Sequence, residues 1–306
     1  MASRAVGIDV GGSTIKAARV DRQGRIEGLV QIPTPDGAAT IADLCGYLAA
    51  DLMADDVAAV GIGSAGYVDR VSGVHVWGPH VAGPAPIVAA VVGTTGRSAV
   101  IDNDANAAAF AESRIGAAAG YADALVIMLG TGIGGGLIID GSVYRGRGFA
   151  GELGHLVVDP DGPPCACGRR GCWENFVSGS VLDQEAIRIF GVGPTGDAVD
   201  AAPAGELLMR AAIGGDADAL AVWLRAGEWL GRGIAQLVAV LDPEVVVVGG
   251  GPARAGDLLL DPAREVFARE RHAGRIRPAT QIVPARFEQN AAVIGAGLQA
   301  LESIDD

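Results

Sequence analysis

Two stretches of this chain repeat one pattern at a separation of about 120 residues. "AVGIDVGGSTIKAARVDRQG" (5–24) and "ALVIMLGTGIGGGLIIDG" (124–141) each hold an apolar strand, a glycine-rich turn and a second apolar strand. A recurrence of this kind points to an internal duplication in an α/β chain. A third glycine turn closes "EVVVVGGG" (244–251). Glycine has no Cβ, so backbone N–H groups in such turns can approach an anion closely. Asp9, Gly11, Gly12, Ser13 and Thr14 form the first turn, Gly130, Thr131 and Gly132 lead the second, and Gly249, Gly250 and Gly251 form the third. Ser13, Thr14 and Thr131 add hydroxyl donors. Each turn alone also reads as a plain tight hairpin; three after buried strands favour a polyphosphate. No G-x-x-x-x-G-K-[ST] segment occurs, and "GTGIGGG" is followed by a strand rather than the helix of a dinucleotide site. Asp9 is placed to act on the Mg2+ that accompanies a nucleotide, or to bond its own turn.

Around these turns the pattern predicts strands at 4–10, 14–21, 24–32, 57–66 and 98–104 and helices at 37–53 and 105–118. Further on it predicts a long loop over 141–172, helices near 178–190, 205–213 and 217–240, a strand at 244–251 and a helix at 290–303. Cys45 reads as a small core residue, and 191–205 as a mobile loop.

"VIDNDANAAAFAE" sets Asn103 and Asp104 where a strand ends and a helix begins. Ligands of open α/β sheets favour that edge, and the same residue types favour helix N-caps. Both roles fit together if Asn103 caps while Asp104 faces a cleft. Phosphoryl transfer to an alcohol needs such a carboxylate to orient the hydroxyl and take its proton.

Three of the four cysteines fall in "CACGRRGCWE" (165–174). Cys165, Cys167 and Cys172 need one more ligand to complete a tetrahedral metal site, and His155 in "GELGH" is the nearest. A Cys165–Cys167 disulfide would be strained, and a redox pair more usually reads C-x-x-C. Structural zinc on His155, Cys165, Cys167 and Cys172 is the expectation. It would brace a loop too poor in apolar residues to hold itself, and fix Glu152, His155 and Glu174 in space. Those carboxylates suit sugar hydroxyls; surface ion pairing is the alternative.

The formal net charge of −13 and the lack of a Lys/Arg-rich run argue against nucleic acid as a partner. No apolar run reaches the roughly 20 residues of a membrane span, and the first residues carry no apolar signal region. A cytoplasmic enzyme is expected.

Together these segments resemble the ROK family (repressors, open reading frames, kinases), and within it the bacterial ATP-dependent glucokinases. "GIDVGGSTIKAARVD" and "LGTGIGGGLIIDG" are similar to its phosphate motifs and "IDNDANAAAFAE" to its catalytic segment. "GELGHLVVDPDGPPCACGRRGCWE" is similar to its sugar and zinc segment, and "VVVVGGG" to its nucleotide segment. The resemblance implies the two-lobed actin/hexokinase-like (ribonuclease H-like) α/β fold. The smaller lobe would span 1–118 plus 290–306, and the larger 119–289 with the zinc loop. It implies Asp104 as catalytic base and Asn103, Glu152, His155, Glu174 and Gly66 around a sugar held between closing lobes. Lys16 joins the nucleotide set, with ATP, Mg2+ and Zn2+ as cofactors and a homodimer as assembly. The expected reaction is phosphorylation of a hexose 6-hydroxyl, glucose first; an N-acetylhexosamine kinase and a non-catalytic sugar sensor are the alternatives. "WGPHVAGP" (77–84) carries His80 where the family often has Asn, which leaves the sugar open.

Overall fold

The computed structural model describes residues 3–78, 81, 83–191 and 204–305. His80 and most of the segment expected to be mobile (192–203) lie outside them. In chain order the elements begin with β1 (Arg4–Val10), β2 (Thr14–Val20), β3 (Ile26–Pro33), α1 (Ala38–Asp51), β4 (Val57–Ser64), β5 (Tyr67–Asp69) and β6 (Val74–Trp77). Then come α2 (Ile87–Thr95), β7 (Ser98–Asn103), α3 (Asp104–Ile115), β8 (Ala124–Leu129), β9 (Ile133–Ile139), β10 (Ser142–Tyr144), α4 (Glu174–Val177) and α5 (Gly179–Phe190). The chain continues with α6 (Ala204–Ile213), α7 (Ala217–Leu241), β11 (Val245–Gly250), α8 (Asp257–Glu270), β12 (Gln281–Pro284) and α9 (Ala291–Glu302).

The chain divides into two compact units. Unit 1 comprises residues 1–120, 136–151 and 289–306; unit 2 comprises 121–135 and 152–288. This differs from the sequence expectation in giving 136–151 to unit 1. The reason is local: Gly136 lets its strand lie against α3, where a Cβ would overlap Ala109, and β10 packs on the same helix.

The sheet of unit 1 runs β3-β2-β1-β4-β7. β1 pairs antiparallel with β2 and parallel with β4, and β4 pairs parallel with β7. Val6, Ile8, Val10, Ile15, Ile41, Cys45, Ile62 and Val91 form the core between this sheet and the helices α1 and α2. Cys45 is thus a buried core residue, and burial pushes its thiol up to about 12. The other face is covered by α9, which packs on β1, β4 and α3. The second sheet runs β10-β9-β8-β11-β12, with β8, β11 and β12 parallel. Both sheets therefore follow one strand order, and β8 and β9 occupy the places of β1 and β2. In unit 2, α7 packs on α8 and α4.

Parallel register decides which residues share an edge. Asp9 lies opposite Gly63 and Ser64 opposite Asn103, so the turns after β1, β4 and β7 meet at one end of the first sheet. Leu129 lies opposite Gly250, so the turns after β8 and β11 meet at the matching end of the second.

The structure adds α2, α8, the β5–β6 ribbon, β10, β12 and α4 to the expected elements. "IVAAVVGTT" is apolar all round and so lacks helical periodicity. α8 carries Pro262 in its interior, a residue that argues against a helix when read in sequence. Its ring packs on Gly227 of α7.

α9 sits unusually close to its neighbours. A Cβ on Gly61 would overlap the Ala296 carbonyl oxygen, and one on Gly295 would overlap that of Ala107. Neither backbone can yield without opening the packed layer. Gly295→Ala is expected to lower unfolding stability by about 3 kcal/mol, read as a shifted urea midpoint at unchanged slope.

Candidate active site and metal centre

Asn103 ends β7 and caps α3. Its Oδ1 accepts from the N–H of Ala105 at 2.9 Å and of Asn106 at 3.1 Å. Its Nδ2 donates to the Gly66 carbonyl at 3.1 Å, and the same side chain hydrogen-bonds the Asp104 carboxylate. Gly66 has φ of 104°, and a Cβ there would come within 2.5 Å of the Trp77 carbonyl oxygen. Only glycine fits that turn.

Asp104 is the first residue of α3, and its carboxylate accepts from the Ala105 N–H at 2.9 Å. Burial raises its pKa above the ordinary carboxylate range, against the pull of that N–H. Asp9, at the end of β1, is pushed up to about 7 by burial and then by the charge of Asp104, against the pull of Lys16. Lys16 lies opposite Asp9 in the β1–β2 ladder. Its ammonium donates to the Gln289 carbonyl at 2.8 Å. The two acids thus face each other in a partly buried setting that disfavours both charges.

The turn between β1 and β2 is held from outside by Thr34. Its Oγ1 donates to the Gly11 carbonyl at 2.7 Å and its N–H to the Ser13 carbonyl at 3.0 Å. Two carbonyl oxygens that would repel an anion are occupied in this way. Gly12, Ser13 and Thr14 complete the turn.

Sequence reasoning missed the acid one residue earlier. Asp102 is 2 % exposed. Arg145 grips one carboxylate oxygen through Nε at 2.8 Å and an Nη at 2.7 Å, and Gln299 of α9 donates to the same oxygen at 2.9 Å. The other oxygen accepts from the Asn103 N–H at 2.9 Å and the Asn106 amide at 3.2 Å. Arg70 lies 3.7 Å away. The signal was available: an acid in a strand with a buried neighbour must find partners.

In unit 2 the turn Gly130–Thr131–Gly132 follows β8. The Gly130 N–H donates to the Gly132 carbonyl at 2.9 Å, and the Gly130 carbonyl accepts from the Gly179 N–H, at the start of α5, at 2.7 Å. The register of β11 brings Gly249, Gly250 and Gly251 to the same edge. Gly132 gives room to Glu174, whose carboxylate oxygen would lie 2.6 Å from a Cβ there.

His155, Cys165, Cys167 and Cys172 converge, with one donor atom of each within 4.8 Å of all the others. The Nδ1 of His155 faces Cys165 Sγ at 3.8 Å, and Cys167 and Cys172 Sγ lie 3.5 Å apart. Glu174 stands beside this cluster, 3.3 Å from Cys165 Sγ and 3.4 Å from His155 Nδ1. Glu152 is exposed where a short 3-10 turn leads to His155. Burial pushes the Cys165 thiol up to about 12, while the N–H of Arg169 draws Cys167 down to about 6. One imidazole nitrogen and three sulfurs at these separations fit a tetrahedral soft-cation site. Arg169 also donates to the His155 carbonyl at 2.7 Å. Behind the loop Trp173 is fully buried, flat on Gly233 of α7, and donates to the Trp229 carbonyl at 2.8 Å.

The sequence-derived residues therefore gather as two sets. Unit 1 holds Asp9, Lys16, Gly66, Asn103 and Asp104 with the first turn. Unit 2 holds Glu152, His155 and Glu174 with the second and third turns and the cysteines.

Comparison with known proteins agrees with this layout. A model of the ROK family matches residues 5–302. The chain is similar to the glucokinase of Streptomyces coelicolor, at 35% identity over 97% of each chain. It is also similar to an N-acetylmannosamine kinase of Citrobacter koseri, at 32% identity over 96% of this chain and 97% of that one. Among solved structures, a ROK family glucokinase from Streptomyces griseus in complex with glucose and AMPPNP superposes with a TM-score of 0.86. Its identity is 37%, covering 98% of this chain and 100% of that chain. The fold is accordingly the duplicated, ribonuclease H-like α/β fold of actin and hexokinase.

Removing Arg145 would leave the Asp102 charge buried without its main partner. Arg145→Met is expected to cost about 3–5 kcal/mol in urea unfolding. Adding Asp102→Asn to that variant should return part of the loss, because the buried charge is then gone.

Proposed function

This chain belongs to the ROK family, and from that premise we propose that it is an ATP-dependent kinase of the 6-hydroxyl of a hexose, glucose first. The observation that carries the reading is Asp104, a carboxylate whose pKa burial raises, hydrogen-bonded to the Asn103 side chain at the strand edge that also bears Asp9 and the first glycine turn.

In this reading Asp104 accepts the proton of the 6-hydroxyl as that oxygen attacks the terminal phosphorus of ATP, and ADP leaves. Asn103, whose side chain hydrogen-bonds Asp104, orients the acceptor beside that carboxylate. Glu152 and Glu174 accept from ring hydroxyls, and His155 offers Nε2, since its Nδ1 faces the sulfurs. Backbone N–H groups of the three turns bind the phosphates, and Thr34 keeps carbonyl oxygens of the first turn away from them. Mg2+ would be held near Asp9, whose raised pKa marks a site short of positive charge; it supplies neutralisation of the phosphates. Zn2+ on His155, Cys165, Cys167 and Cys172 would brace the loop that carries Glu174. The proposal extends to a cytoplasmic homodimer, as the resemblance implies; among the described residues no helix is long and apolar enough to cross a membrane.

The similarity to an N-acetylmannosamine kinase supports a second reading, in which the acceptor is an N-acetylhexosamine on the same machinery.

ADP release with Mg-ATP and a panel of glucose, mannose, N-acetylglucosamine and N-acetylmannosamine tests both. Asp104→Asn is expected to lower kcat by at least about 10²-fold with the melting temperature kept; normal turnover in that variant refutes the base. Because burial raises Asp104, kcat/KM should fall with decreasing pH earlier than an ordinary carboxylate would cause, as the base becomes protonated. Cys172→Ser should reduce bound zinc from one per chain to a trace by atomic emission and lower the melting temperature; full zinc retention refutes the ligand set.

A further inference from the structure

We infer that Tyr67, Trp77 and Phe149 form an apolar platform that receives the C–H face of the acceptor pyranose and selects all-equatorial hexoses. The inference rests on the kinase reading for its ligand and adds to it a basis for choosing among sugars.

Aromatic residues make up only 5% of the chain, yet three of them meet at one place, two of them exposed and Tyr67 half-buried. Trp77 is 51% exposed and Phe149 is 60% exposed. Tyr67 stacks on Trp77 at 6.1 Å between ring centroids and meets Phe149 at 4.8 Å. Tyr67 and Trp77 are paired across the β5–β6 ribbon. Large rings left in solvent give up the burial that ordinarily stabilises them, and a cluster of them marks a binding surface.

Both roots of the cluster are tied to the catalytic strand end. Tyr67 follows Gly66, whose carbonyl holds the Asn103 amide at 3.1 Å. Phe149 lies four residues after Arg145, whose guanidinium is bound to Asp102. The rings are therefore rooted in the same segments that tie down the β7–α3 junction, and all of these residues belong to unit 1. A few convergent polar groups next to aromatic surface are the composition of a small-ligand site. A hexopyranose matches it, with a polar rim for Asn103 and Asp104 and flat C–H faces for the rings.

Stereochemistry follows. The β anomer of glucopyranose presents only C–H groups on either face. An axial hydroxyl replaces one of them with a polar group that needs water. Mannose and galactose carry it on one face, and allose on the other.

The test uses Trp77→Ala and Phe149→Ala, with Trp77→Phe as the variant that keeps a ring. Both positions are exposed, and circular dichroism checks that the variants fold. Calorimetry without ATP gives glucose affinity, and steady-state kinetics gives KM for sugar and for ATP. Each alanine variant should weaken glucose binding and raise its KM about two- to tenfold, with KM for ATP unchanged and Trp77→Phe close to wild type. Preference for glucose over mannose and galactose, or over allose, should narrow by a similar factor. Unchanged glucose affinity and unchanged sugar preference in folded variants overturn the platform, while Asp104-dependent turnover leaves the kinase reading standing. A wild-type protein that binds glucose without phosphorylating it, and loses binding in Phe149→Ala, overturns the kinase reading and supports the platform. A wild-type protein that binds none of these sugars overturns the platform.

Discussion

The buried carboxylate of Asp102 is the interaction on which unit 1 turns. An ionised acid removed from water is tolerated only when its oxygens are fully engaged. The donors come from four places in the chain: Arg145, Gln299 on α9, Asn106 on α3 and the backbone of Asn103. Satisfying one charge thereby sets the start of α3, the seat of α9 and the course of the segment toward Glu152. The placement of Asn103 and Asp104 is a by-product of that requirement. The end of β7 is stiff because the acid beside it cannot be left short of partners.

Unit 2 solves a related problem by other means. The segment from Glu152 to Glu174 has too few apolar side chains to fold over a core of its own. It carries four convergent metal-ligating side chains, and Trp173 pressed on Gly233 anchors its far end. Glu174 sits between these anchors and the Gly130–Gly132 turn, so the loop's rigidity passes to a residue that faces that turn. Gly132 and Gly66 work alike: each omits a Cβ where another group must come close.

Much of this was legible in the residues. Alternating Val and Ile before glycine turns marked β1, β8 and β11. The Asn-Asp pair before an alanine-rich run marked the cap of α3, and the cysteine spacing marked the cluster with His155. For Asp102 the residues announced the need for partners but not which ones: Arg145 and Gln299 lie far along the chain, and one sequence does not say which acids they meet. The aromatic cluster was hidden for the same reason, since Phe149 joins Tyr67 only through the fold. α2 and α8 were missed because one is apolar on every side and the other contains proline. The grouping of 136–151 with unit 1 follows from a strand whose inner face fits α3, which no local pattern announces.

The position of α9 bears on how the molecule is made. It supplies a whole face of unit 1, yet it leaves the ribosome after every other described element of both units. β1 to α3 emerge first and must wait, with one side of their sheet uncovered, while the intervening 170 or so residues are translated. Unit 2 draws only on residues before 289 and has all of them in hand earlier. Order of synthesis and order of completion are therefore reversed: the unit whose strands emerge earlier is completed after the other.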